Sequence, residues 1–166
     1  MMNGSTLTPE FHSLVKRIEV LNMTENWIIP CNVGFFDIIQ HFKESTKVVW
    51  KNSFTIREGD IAYIYLGRPY GEIRYKCIVI SDNVDAEKLK KNSYAIPAKK
   101  SNNYFSKKEK YIEMELICEY SSGIFTLENL RKNGLGQVQI QARVDRNLQQ
   151  HLNKVERECM GGEVNA

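Results

Sequence analysis

Apolar residues recur along this chain in two rhythms, and each change of rhythm marks an element. Residues 9–21, "PEFHSLVKRIEVL", place Phe11, Leu14, Val15 and Ile18 at helical spacing. Pro9 suits a first helical turn and Thr8 its cap, so the pattern predicts an N-terminal helix outside the first strand. Trp27 to Cys31 is a near-continuous apolar run and predicts a buried strand. Phe36 to Phe42 predicts a short helix with Asp37 near its start, and "STKVVWKNSF" a connector with a brief extended core. Glu58-Gly59-Asp60 reads as a turn before a strand over Ile61 to Leu66, on which Ile61, Tyr63 and Tyr65 share one face. Gly67 to Gly71 is a second turn, and "EIRYKCIVISD" returns as the other arm of an antiparallel hairpin.

The second half continues in the same way. Residues 82–110 read as a lysine-rich excursion, with a helical turn in "DAEKLKK" and a polar loop in "SNNYFSKKEK". "YIEMELICEYSS" alternates with period two and predicts a half-exposed strand. "TLENLRKNGL" predicts a short helix capped by Thr126 and ended by Gly134. "GQVQIQARV" predicts a closing strand, and "DRNLQQHLNKVERE" a helix behind an Asp cap. Five or six strands with short flanking helices predict an α+β fold, a small mixed barrel rather than a doubly wound sheet. The chain divides into a helical extension (1–24), the barrel domain (25–152), and a helix end with a frayed tail (153–166).

Composition narrows the class. The 166 residues are 42% hydrophobic and 26% charged, enough to bury one core. No apolar run reaches the roughly 18–20 residues that span a bilayer, and the first eight residues lack a signal's apolar core. A cytoplasmic chain without a membrane partner is expected. Cys31, Cys77, Cys118 and Cys159 form no Cys-x-x-Cys pair and read as reduced thiols, without a metal or redox role. The net charge is +3, but eight lysines crowd between Val84 and Lys110, an excess that attracts a polyanion.

Catalytic patterns are missing. His12, His41 and His151 fall in predicted helices without metal-ligand or nuclease spacing, and no nucleophile elbow or phosphate loop occurs. What remains is aromatic and amide chemistry. Trp27 and Trp50 each stand near a polar turn residue, Asn32 and Asn52. Flat indoles can sandwich a base while an Asn amide reads its edge. The nearby lysines and Arg143 could hold phosphates.

Three segments, "WIIPCN", "VVWKNSFTIREGDIAYIYLG" and "IRYKCIVI", resemble the EVE domain of the PUA-like superfamily. "YIEMELICEY", "FTLENLRKNGLG" and "VQIQARVD" resemble its later strand, helix and closing segment, so the likeness spans roughly residues 25–150. It looks like the type found ahead of HNH endonucleases that restrict modified DNA. The resemblance implies a PUA-like barrel related to YTH and SRA domains, which hold a modified base in an aromatic cage. It implies no catalytic residue, metal or cofactor in this chain. Carried over, the base-binding residues are Trp27, Asn32, Trp50, Asn52, Tyr65, Leu66 and Gly67, with Gln139 and Gln141 near the mouth. Phosphates would be met by Lys51, Lys99, Lys100, Lys107, Lys108 and Arg143. Many family members carry His or Ser where this chain has Leu66 and Gly67. The expected partner is DNA with a 5-substituted cytosine, modified RNA being the alternative, and the expected effector is an HNH nuclease domain or subunit. A protein-interaction domain, with every aromatic in the core, is the remaining alternative.

Overall fold

The computed structural model describes residues 8–85 and 110–161. Ten elements follow in order: α1 (Pro9–Asn22), β1 (Asn26–Cys31), α2 (Ile38–Glu44), β2 (Lys47–Lys51), β3 (Ile61–Leu66), β4 (Glu72–Ser81), β5 (Tyr111–Glu119), α3 (Leu127–Lys132), β6 (Ala142–Arg143) and α4 (Arg146–Gly161). The strands make one six-stranded sheet in the order β2-β5-β4-β3-β1-β6. β1 runs parallel to β3 and every other neighbouring pair is antiparallel. This is the α+β architecture that the strand count predicts.

Pro30 sits inside a central strand, where a missing N–H normally breaks the ladder. The ladder explains its tolerance. Backbone groups of β1 alternate between neighbours: the Asn26 carbonyl accepts from Val144 on the β6 side, and the Cys31 carbonyl from Gly67 on the β3 side. Pro30 has the same parity as Asn26, so its nitrogen points toward β6, which pairs only with Trp27 and Ile28. No strand stands there to want the proton.

The sheet buries both faces. Trp27, Ile29, Ala62, Ile64, Leu66, Tyr75, Cys77, Ile112 and Met114 gather with Phe36 and Ile38 of the α2 region on one face. Ile28, Tyr63, Tyr65 and Ile73 pack against Leu130, Leu148 and Leu152 of α3 and α4 on the other. The helix ends carry the chemistry expected of them. Asp37 Oδ1 accepts from the Gln40 N–H, Thr126 Oγ1 from Asn129 and Asp145 Oδ1 from Leu148. Gly134 follows α3 at φ +103°, which L-side chains rarely adopt.

Three predicted elements change. "STKVVWKNSF" holds a full edge strand, β2, paired along its length with β5. The helix expected over Phe36 to Phe42 begins two residues later, because Asp37 caps it. The closing strand expected over 136–144 shrinks to Ala142–Arg143. Most of the lysine-rich excursion lies outside the described residues, including Lys99, Lys100, Lys107 and Lys108. Among the described residues, no helix is long and apolar enough to cross a membrane.

Candidate nucleic-acid interface

β2 and β6 are the outer strands of the sheet, and a side chain joins them. Gln141, buried just before β6, donates from Nε2 to the Lys51 carbonyl at 2.7 Å and accepts at Oε1 from the Ser53 N–H at 3.0 Å. One amide thus supplies a donor and an acceptor to the end of β2, as a strand would. The sheet closes on itself at this seam.

Aromatic and cationic groups collect along it. Trp27 of β1 is 2% exposed, and the Phe54 ring lies on it with centroids 6.3 Å apart and planes at 29°. The Arg143 guanidinium lies 5.2 Å from the Trp27 ring centroid and donates to Thr55 Oγ1 at 3.4 Å. Phe54 itself is 45% exposed. Across the seam Trp50 of β2 is half-buried, edge-on to Phe36 at 5.5 Å. Lys51, Ser53, Thr55, Ile140 and Arg143 form an exposed rim.

The seam is held rigid from below. Asp60 is buried and accepts three hydrogen bonds: Glu25 N–H at Oδ1, and the Trp27 indole N–H and the Arg57 N–H at Oδ2, all at 2.9–3.0 Å. Gly59 before it has φ +90°, which the turn requires. Asn52 organises the loop that carries Phe54: Nδ2 donates to the Ile56 carbonyl, and Oδ1 accepts from Phe54 and Ile56 N–H groups.

The sequence-predicted base-binding residues therefore divide. Trp27 and Trp50 flank the seam, although their rings do not stack on each other among the described residues. Asn52 stands beside them with its amide engaged in its own loop. Asn32 lies at the other end of β1, exposed, with Oδ1 accepting from the Gly34 N–H. Leu66 is fully buried on the Trp27 face, and the Gly67 N–H is bonded to the Cys31 carbonyl. Tyr65 faces α3 on the opposite side of the sheet. Phe54 and Asp60 are what sequence reasoning missed. An aromatic within a polar Asn-Ser-Phe-Thr turn was the available signal for Phe54. Asp60 read only as a turn residue, because its partner is 33 positions away.

Titratable groups elsewhere serve the fold. Burial, with some help from Asp37 at Cys31, pushes the thiols of Cys31 and Cys77 up to about 12, so neither is a thiolate near neutral pH. Burial raises the Glu72 carboxyl, but hydrogen bonds from Arg74, the Gly123 N–H and Ser122 outweigh it and hold it below the usual range. Burial also lowers Lys76, yet its bond to Glu156 of α4 prevails and raises it. Among the described residues, no group of three His, Cys, Asp or Glu is placed to hold a metal ion.

No protein-family model matches the chain, and no curated protein matches it. Solved structures do. The ASCH protein of Zymomonas mobilis is 14% identical with a TM-score of 0.57, covering 78% of this chain and 94% of its own. A hypothetical protein from Leishmania major is 13% identical with a TM-score of 0.56, over 82% and 97%. Human THYN1, solved in complex with 5-methylcytosine-containing DNA, is 10% identical with a TM-score of 0.55, over 80% and 98%. At these identities the likeness is one of fold: the chain has a PUA-like fold of the kind seen in ASCH domains and THYN1.

Proposed function

We propose that this protein is a non-catalytic nucleic-acid reader that takes a modified base, a 5-substituted cytosine in DNA, into the seam between β2 and β6. The observation that carries the reading is the cluster of Trp27, Phe54 and Arg143 at the seam, with Trp50 half-buried on β2, the strand at its other side. Each base stacked on an aromatic ring gains about 1–3 kcal/mol, enough to offset the few kcal/mol of extruding it from a duplex. Phe54 and Trp50 are the accessible rings, with Trp27 as the fixed wall behind Phe54. Arg143 and Lys51 stand where phosphates flank an extruded nucleotide. The 5-methylcytosine DNA bound to THYN1 supports cytosine modification as the class. The effector would be a separate nuclease domain or chain, as the resemblance to HNH-associated readers implies.

Fluorescence anisotropy tests the reading on one duplex whose central cytosine is plain, 5-methyl or 5-hydroxymethyl, with an RNA counterpart alongside. A preference of tenfold or more, about 1.4 kcal/mol, is expected for one modified DNA. Trp50→Ala and Phe54→Ala should each erase the preference while leaving salt-dependent binding. Equal binding to every duplex would reject base reading, and tighter binding to RNA would reassign the partner.

A further inference from the structure

The opposite end of the sheet has cations that neither the fold nor the seam uses. β3 ends at Leu66, and the turn over 67–71 is closed by the Tyr70 N–H donating to the Gly67 carbonyl and the Gly71 N–H to the Leu66 carbonyl, both at 3.0 Å. The turn throws Arg68 and Tyr70 outward, Tyr70 being 42% exposed. The start of α3 is docked on the same turn, since the Leu127 N–H donates to the Gly71 carbonyl at 2.9 Å. One helical turn later on that face comes Arg131, also exposed. The Tyr65 hydroxyl lies beside Gly71 of this turn, where an added Cβ would be 3.8 Å from it, on a residue only 5% exposed.

Charge matching leaves two of the local cations over. Arg74 is committed to Glu72 at 2.6 Å, and Lys132 to Glu128 at 3.1 Å. Glu119 pairs with Tyr75 and so belongs to the other face of the sheet. Arg68 and Arg131 have no carboxylate partner among the described residues, and nothing there hydrogen-bonds the Tyr65 hydroxyl. Both arginines act on that hydroxyl: burial raises its pKa above the ordinary value, and Arg131 and Arg68 offset only part of that rise. Two unmatched guanidinium groups flanking a free hydroxyl are a donor set for phosphodiester oxygens.

Resting on the reading above, we propose that Arg68 and Arg131, with the Tyr65 hydroxyl, form a second contact for the backbone of the same nucleic acid. Trp27 pairs with Ala62, five residues before Gly67, which sets the patch about 17 Å along the strands from the seam. At about 3.4 Å per nucleotide of duplex axis, that displacement alone corresponds to about five nucleotides, and because the patch is on the α3 side of the sheet the phosphates it meets are at least that far from the extruded base.

The test compares the chain with an Arg68→Gln/Arg131→Gln double variant on duplexes carrying the modified cytosine. One duplex has arms of about ten base pairs and one has arms of about three, too short to reach the patch. On the long duplex the variant should bind modified and plain DNA more weakly by the same factor. Its log–log salt slope should fall by nearly two, at about 0.9 per lost phosphate contact. The short duplex should bind both proteins alike. An unchanged slope on the long duplex overturns the proposal and leaves base reading intact. An equal loss on the short duplex overturns the placement. A fallen slope with no modified-base preference in either protein supports the contact and sinks base reading instead.

Discussion

Asp60 shows how one residue can orient a surface it never reaches. Its two oxygens take three donors from two separate segments, the start of β1 and the turn before β3, and one of those donors is the Trp27 indole. The carboxylate is buried, so each donor would otherwise lose water without replacement. Asp60→Asn keeps the volume but turns one acceptor into a donor, and at least one of the three N–H groups is then stranded. We expect a loss of about 1–3 kcal/mol in urea unfolding and a red shift of tryptophan emission as the indole loosens. A change within about 0.5 kcal/mol would show that packing alone, chiefly Phe54 and Arg143, fixes the indole. Trp27 was legible in the sequence as important, but its surroundings were not. A hydrogen bond across 33 residues leaves no local pattern, whereas the Asx turn at Asn32 and the caps at Asp37 and Thr126 do.

Elements were legible where periodicity is long and illegible where pairing rests on single side chains. The β3–β4 hairpin, β5 and the four helices follow from alternation, turn residues and caps. β6 failed because the alternating glutamines before it do not build a ladder, and Gln141 reaches β2 through its side chain instead. α1 presents the reverse case. Its apolar residues recur at helical spacing and predict the helix, yet Phe11, Leu14 and Ile18 are all exposed. Leu14→Lys is therefore expected to leave stability within about 0.5 kcal/mol. Leu130→Ala, in the fully buried contact of α3, should cost about 2–5 kcal/mol. A Leu14→Lys cost comparable to that of Leu130→Ala would mean that α1 packs in solution on a surface it leaves open here.

At the scale of the molecule, the question is what keeps an open sheet closed. A sheet of six strands has two free edges, and exposed edges invite pairing with other chains. Here the edges meet, and the Gln141 amide and the Arg143–Thr55 bond link them. The same links hold the loop that carries Phe54, so closure of the barrel and geometry of the candidate base site are one feature. Gln141→Ala would remove both bonds across the seam, the one to the Lys51 carbonyl and the one from the Ser53 N–H, at about 1–3 kcal/mol. Hydrogen exchange should speed up at Ser53 while the β3–β4 ladder stays protected, and modified-base preference should fall along with it. Unchanged protection at Ser53 would place closure in the apolar contacts beneath the seam. Loss of protection throughout the sheet would make Gln141 a condition of folding rather than a local latch. The local result is expected, because β3, β4 and β5 are paired with one another independently of the seam.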